Sequence, residues 1–161
     1  MQTFRSKGAY MMTTILLNLP VFAFLAFFCW YDYKHMKVKN KHLLFFLPVV
    51  AAEIGINLWR STNILSSCLE MAAGALIGGG LLLAAALFTH GGIGGGDIKL
   101  CFLLGFLTGS VGAIVMLIVG TLGATVYGFI KAKLYHNKNI RIPLVPFTAV
   151  GYLAAVGYSL L

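Results

Sequence analysis

Residues 91–100, Gly91-Gly92-Ile93-Gly94-Gly95-Gly96-Asp97-Ile98-Lys99-Leu100, place five glycines and one carboxylate between two long apolar segments. The chain has only four acidic residues, and an ionisable group in or near a bilayer is costly unless it serves a function. Glycine allows backbone conformations that other residues avoid, and it allows another chain to approach closely. Because an apolar run begins at Leu100, we expect Asp97 at or near the first turn of a helix, at the positive end of the helix dipole.

Two other interpretations of this stretch compete with a functional carboxylate at Asp97. A glycine-rich loop that binds phosphate also precedes a helix, but such loops follow a strand, or carry a Lys-Ser/Thr pair. Here the preceding segment is a long apolar helix candidate and no such pair follows. A plain turn between helices with an exposed Asp97 stays open from this stretch alone.

The composition is that of an integral membrane protein. The chain is 60% hydrophobic and 10% charged, with a mean hydropathy of +0.91, whereas a soluble domain is about half apolar and a quarter charged. At about 20 residues per span, the 161 residues allow about six helices. We therefore predict an all-α integral membrane protein with about six transmembrane helices in one bundle, and a single domain over residues 1–161.

The apolar runs give the predicted bounds of these spans. Residues 1–10 are expected to form a short polar tail, and Asp32 is expected to begin the loop after the first span. A turn is predicted at residues 108–110, between the fourth and fifth spans. The six predicted spans cover residues 11–30, 43–59, 69–88, 98–107, 111–132 and 143–161.

The basic residues predict the orientation. Nine of the twelve Lys and Arg residues lie in the loops on one side of the predicted bundle, and three lie on the other. Positive loops stay in the cytoplasm, so we predict a multi-pass protein of the cytoplasmic (inner) membrane with both termini outside. The net charge of +8 thus sets topology and favours contact with membrane lipid, and it does not indicate nucleic-acid binding. Asp32 and Asp97 then share the cytoplasmic face.

Two carboxyl groups on one face can perform acid–base chemistry. At a separation of a few ångströms they do not both ionise readily, so one can be ionised while the other keeps its proton. The ionised group can activate a water and the protonated group can donate to a carbonyl oxygen. This is peptide-bond hydrolysis without a covalent intermediate, and it leaves open which aspartate is base and which is acid.

Other catalytic groups are poorly supported. The chain lacks the GxSxG and HExxH patterns. The four histidines fall in predicted loops without ligand spacing, and the three cysteines lie far apart without a CxxC pair. We therefore expect no metal and no cofactor. A presenilin-like dyad was also weighed, but Pro143-Leu144 is not the Pro-Ala-Leu sequence of that family.

Three blocks of the chain, in order and spacing, resemble those of the type IV prepilin peptidases. Residues 94–100 match the family's GxGD-x-K-L block. Asp32 and Lys34, followed by Val38 and Asn40, resemble its Asp-x-Arg-xxx-Ile-Pro-Asn block. Residues 142–147 resemble its closing Pro-xx-Pro-Phe element. The resemblance covers about residues 10–161 and is closest to the short, A24-type form found in pilus and type II secretion systems and in archaeal relatives.

The resemblance implies a membrane aspartic endopeptidase of the GxGD type. Asp32 and Asp97 would be its catalytic aspartates, and its substrate would be a prepilin-like protein whose basic leader is cut after a glycine on the cytoplasmic side. Lys39 replaces the family's proline, and Lys34 its usual arginine, which changes the first loop but neither aspartate. The N-terminal loop with paired cysteines of the large form is absent, so we expect peptidase activity without N-methylation.

The residues around the two aspartates have open roles. Gly94, Gly95 and Gly96 are expected to shape the active-site loop, and Lys34 and the following residues to line it or contact headgroups. Lys99 could orient Asp97 or meet substrate, or it could be a snorkelling lysine that sets topology. Asn40 could bond the active-site loop or cap the second helix.

Rival functions place the acids differently. A small proton-coupled transporter would have carboxylates near the bilayer midplane and broken helices in matching halves, and Glu53 is the one acid placed that way. We expect Glu53 to pair within the bundle or to face a wet cavity. A non-catalytic assembly protein would keep full function without either aspartate. The sequence leaves the particular substrate and the oligomeric state open.

Overall fold

The computed structural model describes residues 2–35, 38, 40–88, 93–135 and 142–160, with side chains from Met12 to Leu134 within these ranges and again from Ile142. Over this part of the chain the ordered elements are helices and no strand occurs, so the predicted all-α class is confirmed. The helices are α1 (Gln2–His35), α2 (Asn40–Arg60), α3 (Ile64–Phe88), α4 (Gly95–Tyr135) and α5 (Val145–Ser159). Within α3, residues Leu76–Gly80 form a π-helical turn.

Four of the described helices, α1 to α4, are long and apolar enough to cross a membrane, and α5 is a shorter apolar helix. The 40 residues Gly95–Leu134 are about twice the length that one crossing needs. Helix α4 is broken at Gly109, where φ is 69° and ψ is −175°. Its two arms, residues 95–108 and 110–135, bring the described helical segments to six, in agreement with the predicted number. This is a multi-pass helical membrane protein.

The break in α4 is narrower than predicted. A turn is expected over residues 108–110, but only Gly109 leaves the helical conformation. A positive φ costs glycine little because it has no Cβ, whereas other residues are strained there. The neighbouring Thr108 stays helical, and its hydroxyl donates to the carbonyl oxygen of Leu104 at 3.1 Å.

Several predicted boundaries are wrong. Residues 2–10 lie in α1 instead of forming a polar tail, and α1 continues five residues past the predicted end at residue 30. Asp32 is therefore inside a helix and does not begin a loop. Lys34 and His35 lie in the last turn of α1, where positive side chains interact favourably with the helix dipole. Helix α2 begins three residues before its predicted start, α3 five residues before, and α5 two residues after.

Glycines allow the closest helix contacts. A Cβ on Gly74 of α3 would overlap backbone atoms of Gly105 and Gly109 in α4, and one on Gly105 would overlap the carbonyl of Gly74. A Cβ on Gly151 of α5 would overlap the carbonyl of Met116 in the second arm of α4. In lipid, such close approaches replace the hydrophobic effect as the main source of helix association.

The core and the two ends of the bundle position the functional residues. Fully buried apolar side chains from α1, α2, α4 and α5 fill the middle: Val21, Phe28, Phe46, Val50, Leu100, Leu104, Met116, Val145 and Tyr152. The end of α1 and the starts of α2, α4 and α5 meet at one end, which we call the aspartate end. At the other end, Glu70 of α3 accepts a hydrogen bond from the hydroxyl of Ser110 in α4 at 2.6 Å.

Candidate active site

Asp32 is held in the last turns of α1 and is only 2% exposed. Its Oδ2 accepts a hydrogen bond from the backbone N–H of Val145 at 3.2 Å. The backbone N–H of Leu144 also acts on this carboxyl group. A buried carboxylate needs such donors, since burial without them is costly, and here the donors come from the start of another helix.

The start of α5 explains where these donors come from. The first backbone N–H groups of a helix have no partner within the helix and point outward, which makes a site for a negative charge. Pro146 lies in the first turn of α5, where its lack of an N–H costs nothing and its fixed φ suits the helix. The N–H groups of Phe147 and Thr148 donate to the carbonyl of Leu144, so the helix turns immediately after it.

This contact was missed by the sequence analysis. From the sequence, residues 142–147 resemble a family element but carry no predicted role. The signal was present, because a proline followed by an apolar run marks a helix start and a helix start favours a nearby carboxylate. What sequence alone could not supply is that α5 begins beside Asp32 rather than elsewhere at that end.

Asp97 lies in the first turn of α4, as predicted. Its backbone N–H and that of Ile98 donate to the carbonyl of Gly94 at 3.0 and 3.3 Å. The side chain is part-buried, and its Oδ1 is buried without a hydrogen-bond partner among the described residues. A plain turn with an exposed aspartate is therefore not what the structure has.

The fold brings the two aspartates together. Their carboxyl groups are close enough for the charge of Asp32 to act on Asp97. Asp32 is oriented by backbone donors, whereas Asp97 presents an oxygen that the described residues leave free. Such an oxygen can accept a hydrogen bond from a water, or donate one to a carbonyl when it is protonated. A water or a carbonyl group that reaches Asp97 can therefore form a hydrogen bond with this oxygen.

The three glycines before Asp97 differ in what surrounds them. A Cβ on Gly96 would overlap the backbone and side chain of Val38, so this glycine allows the segment after α1 to pass close to α4. A Cβ on Gly94 would come within 3.0 Å of Asp97 Oδ2. A Cβ on Gly95 would meet nothing within 4 Å. Steric need for glycine is therefore strongest at Gly96, weaker at Gly94 and absent at Gly95.

Lys99 and Asn40 join α4 to α2. Lys99 Nζ donates to Asn40 Oδ1 at 3.2 Å, and Asn40 is the first residue of α2. Of the roles left open for Asn40, the structure shows a bond to the helix that carries Asp97. Lys99 lies two residues from Asp97 in sequence, so this bond connects the start of α2 to the turn of α4 that carries Asp97.

Lys34 is not brought to the carboxyl pair by any described contact. Its Nζ lies over the ring of Trp30, 5.5 Å from the centroid, on an exposed part of α1. Nearby, Tyr31 stacks on His35 with centroids 4.3 Å apart and meets His42 at 4.5 Å. His35 and His42 therefore lie in helices, not in loops as predicted; His90 and His136 lie outside the described residues.

Each aspartate has one cysteine about one helical turn away on the same helix. No role for these cysteines is predicted from the sequence. Cys29 precedes Asp32 by three residues and Cys101 follows Asp97 by four, so each shares a helix face with its aspartate. Each thiol is close enough for the neighbouring carboxyl charge to act on it. Both are free thiols. Over the described ranges no three His, Cys, Asp or Glu side chains are grouped as metal ligands would be.

Glu53 lies away from the carboxyl pair. It is 5% exposed, and its Oε1 has no partner among the described residues. It borders a polar cavity of about 680 Å³ that opens at the end opposite the aspartates, together with Asn18, Asn57 and Tyr152. Of the two predicted environments for Glu53, the structure shows the cavity.

Comparison with known proteins assigns the family. Residues 19–129, a stretch that includes both Asp32 and Asp97, match the type IV leader peptidase family. The chain belongs to this family. The resemblance stated from the sequence blocks is thereby confirmed.

One curated relative shows how much of a longer protein this chain matches. The chain is 33% identical over 131 residues to a prepilin leader peptidase/N-methyltransferase of Bacillus subtilis (strain 168). The match covers 80% of this chain and 50% of the relative, so the chain spans about half the relative's length. No solved structure matches the chain.

Proposed function

We propose that this type IV leader peptidase family member is an aspartic endopeptidase that removes the basic leader from prepilin-like proteins. Asp32 and Asp97 form its catalytic pair, and cleavage follows a glycine at the cytoplasmic face of the inner membrane. The observation that carries the proposal is the interaction of two carboxyl groups from α1 and α4 at one end of a membrane bundle. Family membership and the name of the Bacillus relative support the substrate class.

The proposed mechanism uses one water and both carboxyls. The ionised member of the pair takes a proton from the water, and the resulting hydroxide attacks the scissile carbonyl carbon. The protonated member donates to the carbonyl oxygen as charge develops there. Collapse of the tetrahedral intermediate breaks the C–N bond, and a carboxyl proton passes to the leaving amine. The donors at the start of α5 hold Asp32 in place throughout these steps.

The other groups at the aspartate end have positioning roles in this proposal. Gly96 lets the segment at Val38 lie against α4, which fixes the approach of α1 to α4. The bond from Lys99 to Asn40 fixes α2 against α4. Gly94 leaves room for the Asp97 carboxyl.

We also propose peptidase activity without N-methylation. The three cysteines are spread over separate helices and are free, and the chain has no paired-cysteine motif. The mass of the new N-terminus of the cleaved product tests this directly. An unmodified mass is the expected result, and a product heavier by one methyl group would contradict it.

The experiment that tests the proposed function is co-expression with prepilin-like substrates. Leader removal is followed for the wild type, Asp32→Asn and Asp97→Asn at matched membrane levels, with Glu53→Gln and Glu70→Gln as controls at the far end. The wild type and both controls should cut, and each aspartate variant should be inactive. Near wild-type cleavage by either aspartate variant would make that carboxyl structural, and the absence of processing by the wild type would reject the substrate class.

A further inference from the structure

An apolar groove adjoins the aspartate end of the bundle. It lies between α2 and α3, with the first arm of α4 as its floor, and has a volume of about 550 Å³. We call it the α2–α3 groove. The residues that define it are Leu44, Leu47, Leu76, Gly80, Leu83 and Phe102.

The groove begins beside the carboxyl pair. Its lining includes Asn40 and Lys99, which are hydrogen-bonded to each other, and Lys99 lies two residues after Asp97. From there it follows α2 as far as Leu47, a distance of about 10 Å at 1.5 Å per residue. The groove is thus continuous with the candidate active site and leads from it toward the middle of the bundle.

The groove is open on its outer side. Leu44 of α2 is 67% exposed, and Leu76 and Leu83 of α3 are 68% and 50% exposed. A Cβ on Gly80 would meet nothing within 4 Å, whereas one on Gly79 would press on Phe102. Phe102 therefore packs down onto Gly79, while Gly80 leaves free space in the wall.

The α3 wall of the groove has an irregular backbone. Residues Leu76–Gly80 form the π-helical turn, a rare feature that is frequent at functional sites. Small residues on such a wall allow another helix to come close, which is how helices associate in lipid. The wall around Gly80 could therefore receive another helix, and no described element of the chain occupies this space.

The position of the carboxyls dictates what must enter this groove. Asp32 is almost fully buried, and both carboxyls belong to helices that span the membrane. A substrate segment that runs from the pair along the groove toward the middle of the bundle would lie at membrane depth. The segment at membrane depth must be apolar and must satisfy its backbone bonds internally, so it must be helical.

We propose that the α2–α3 groove binds the apolar helical segment of the substrate that lies on the membrane side of the scissile bond. This inference rests on the proposed function. Gly80 sets how closely the segment packs, the leucines of α2 and α3 contact its side chains, and the bond between Asn40 and Lys99 marks the end at which the segment reaches the carboxyl pair.

Substitution of the open glycine tests the groove. Gly80→Leu places a larger side chain in the groove, and its Cβ meets nothing within 4 Å. The matched control is Gly55→Leu, since a Cβ on Gly55 of α2 also meets nothing within 4 Å and Gly55 is outside the groove lining. Cleavage kinetics are measured in detergent with a substrate that retains its apolar segment. We expect Gly80→Leu to raise KM about tenfold with kcat within about twofold, and Gly55→Leu to change neither.

A binding measurement covers the case in which Gly80→Leu fails to fold. A photo-activated cross-linking residue is placed at position 83 of the Asp97→Asn protein, and at position 55 as control. We expect an adduct with the apolar segment of the substrate from position 83 only. Adducts to lipid alone at position 83, or equal substrate adducts from both positions, would overturn the proposal.

Different results would reject the proposed function and the groove proposal. If the wild type cuts no prepilin-like substrate, the proposed function fails. If the wild type cuts, but Gly80→Leu leaves KM unchanged and position 83 gives no substrate adduct, the function stands and the groove proposal is rejected.

Discussion

At the residue scale, the two aspartates are buried to different degrees and are oriented by different partners. Asp32 is oriented by the start of α5, whereas Asp97 presents an oxygen without a partner among the described residues. The sequence could predict that Asp97 starts a helix, because a glycine run followed by an apolar run marks such a start. It could not predict the partner of Asp32, because that contact joins residues 113 positions apart.

The glycines before Asp97 make a prediction at this scale. Gly96→Ala places a methyl group into the backbone of Val38, so the start of α4 must shift from the end of α1, and a shift of about 1 Å between catalytic groups can cost a hundredfold in rate. We expect Gly96→Ala to lower the cleavage rate at least tenfold. Gly95→Ala is the matched control, because its methyl group meets nothing. Equal rates for the two variants in the co-expression assay would show that Gly96 is not positioning the pair.

Glu53 makes a second prediction at this scale. It borders the cavity at the far end of the bundle and not the carboxyl pair, so its charge is not needed for the proposed hydrolysis. Glu53→Gln keeps the side chain's shape, and we expect its cleavage rate to stay within about twofold of wild type at matched membrane levels. A loss of cleavage as large as that of Asp97→Asn would instead place Glu53 in the mechanism and would favour the proton-coupled interpretation.

At the element scale, the packing of α3 against the first arm of α4 depends on backbone contact. Gly105→Ala would place its methyl group against the carbonyl of Gly74, and the two helices would have to separate. We expect Gly105→Ala to lower the unfolding temperature in detergent. Its free energy of unfolding should fall by about 1–3 kcal/mol, the usual cost of overpacking a tight contact. Gly55→Ala is the control and should not lower it, because alanine is the better helix former where there is room. The unfolding temperatures of the two variants decide the point.

The break in α4 gives a further element-scale prediction. Gly109 has φ 69° and ψ −175°, a backbone region that is essentially restricted to glycine and costs another residue about 1–3 kcal/mol, so Gly109→Ala should destabilise the protein by about that amount. A Cβ at this position would make only ordinary van der Waals contact, 3.6 Å from Glu70 Oε2, so the effect would come from the backbone. Gly157→Ala is the control, because Gly157 is a helical glycine with open space around it. Comparing the thermal unfolding of the two variants separates this backbone cost from a general sensitivity to substitution. Equal unfolding temperatures for Gly109→Ala and Gly157→Ala would show that the break in α4 does not require glycine at position 109.

At the scale of the whole molecule, the distribution of basic residues makes a topological prediction. Nine of the twelve Lys and Arg residues belong to the loops that the sequence predicts on one side of the bundle, and the six predicted spans return the chain to the side on which it began. We expect a reporter that is active only outside the cytoplasm to work when fused after Leu161. The same reporter inserted between residues 136 and 141 should be inactive. The opposite pattern would place the carboxyl pair outside and would contradict cleavage at the cytoplasmic face.

The sequence by itself determined the class of molecule, the number of helical segments, the break near Gly109 and the family. These follow from composition, the lengths of apolar runs and glycine chemistry, all of which are local. The packing of the helices places Asp32 inside α1 beside donors from α5, requires glycine most strongly at Gly96 and brings Lys99 to Asn40. These depend on which helix ends meet, and helix packing in a bilayer is set by close contacts between segments distant in sequence.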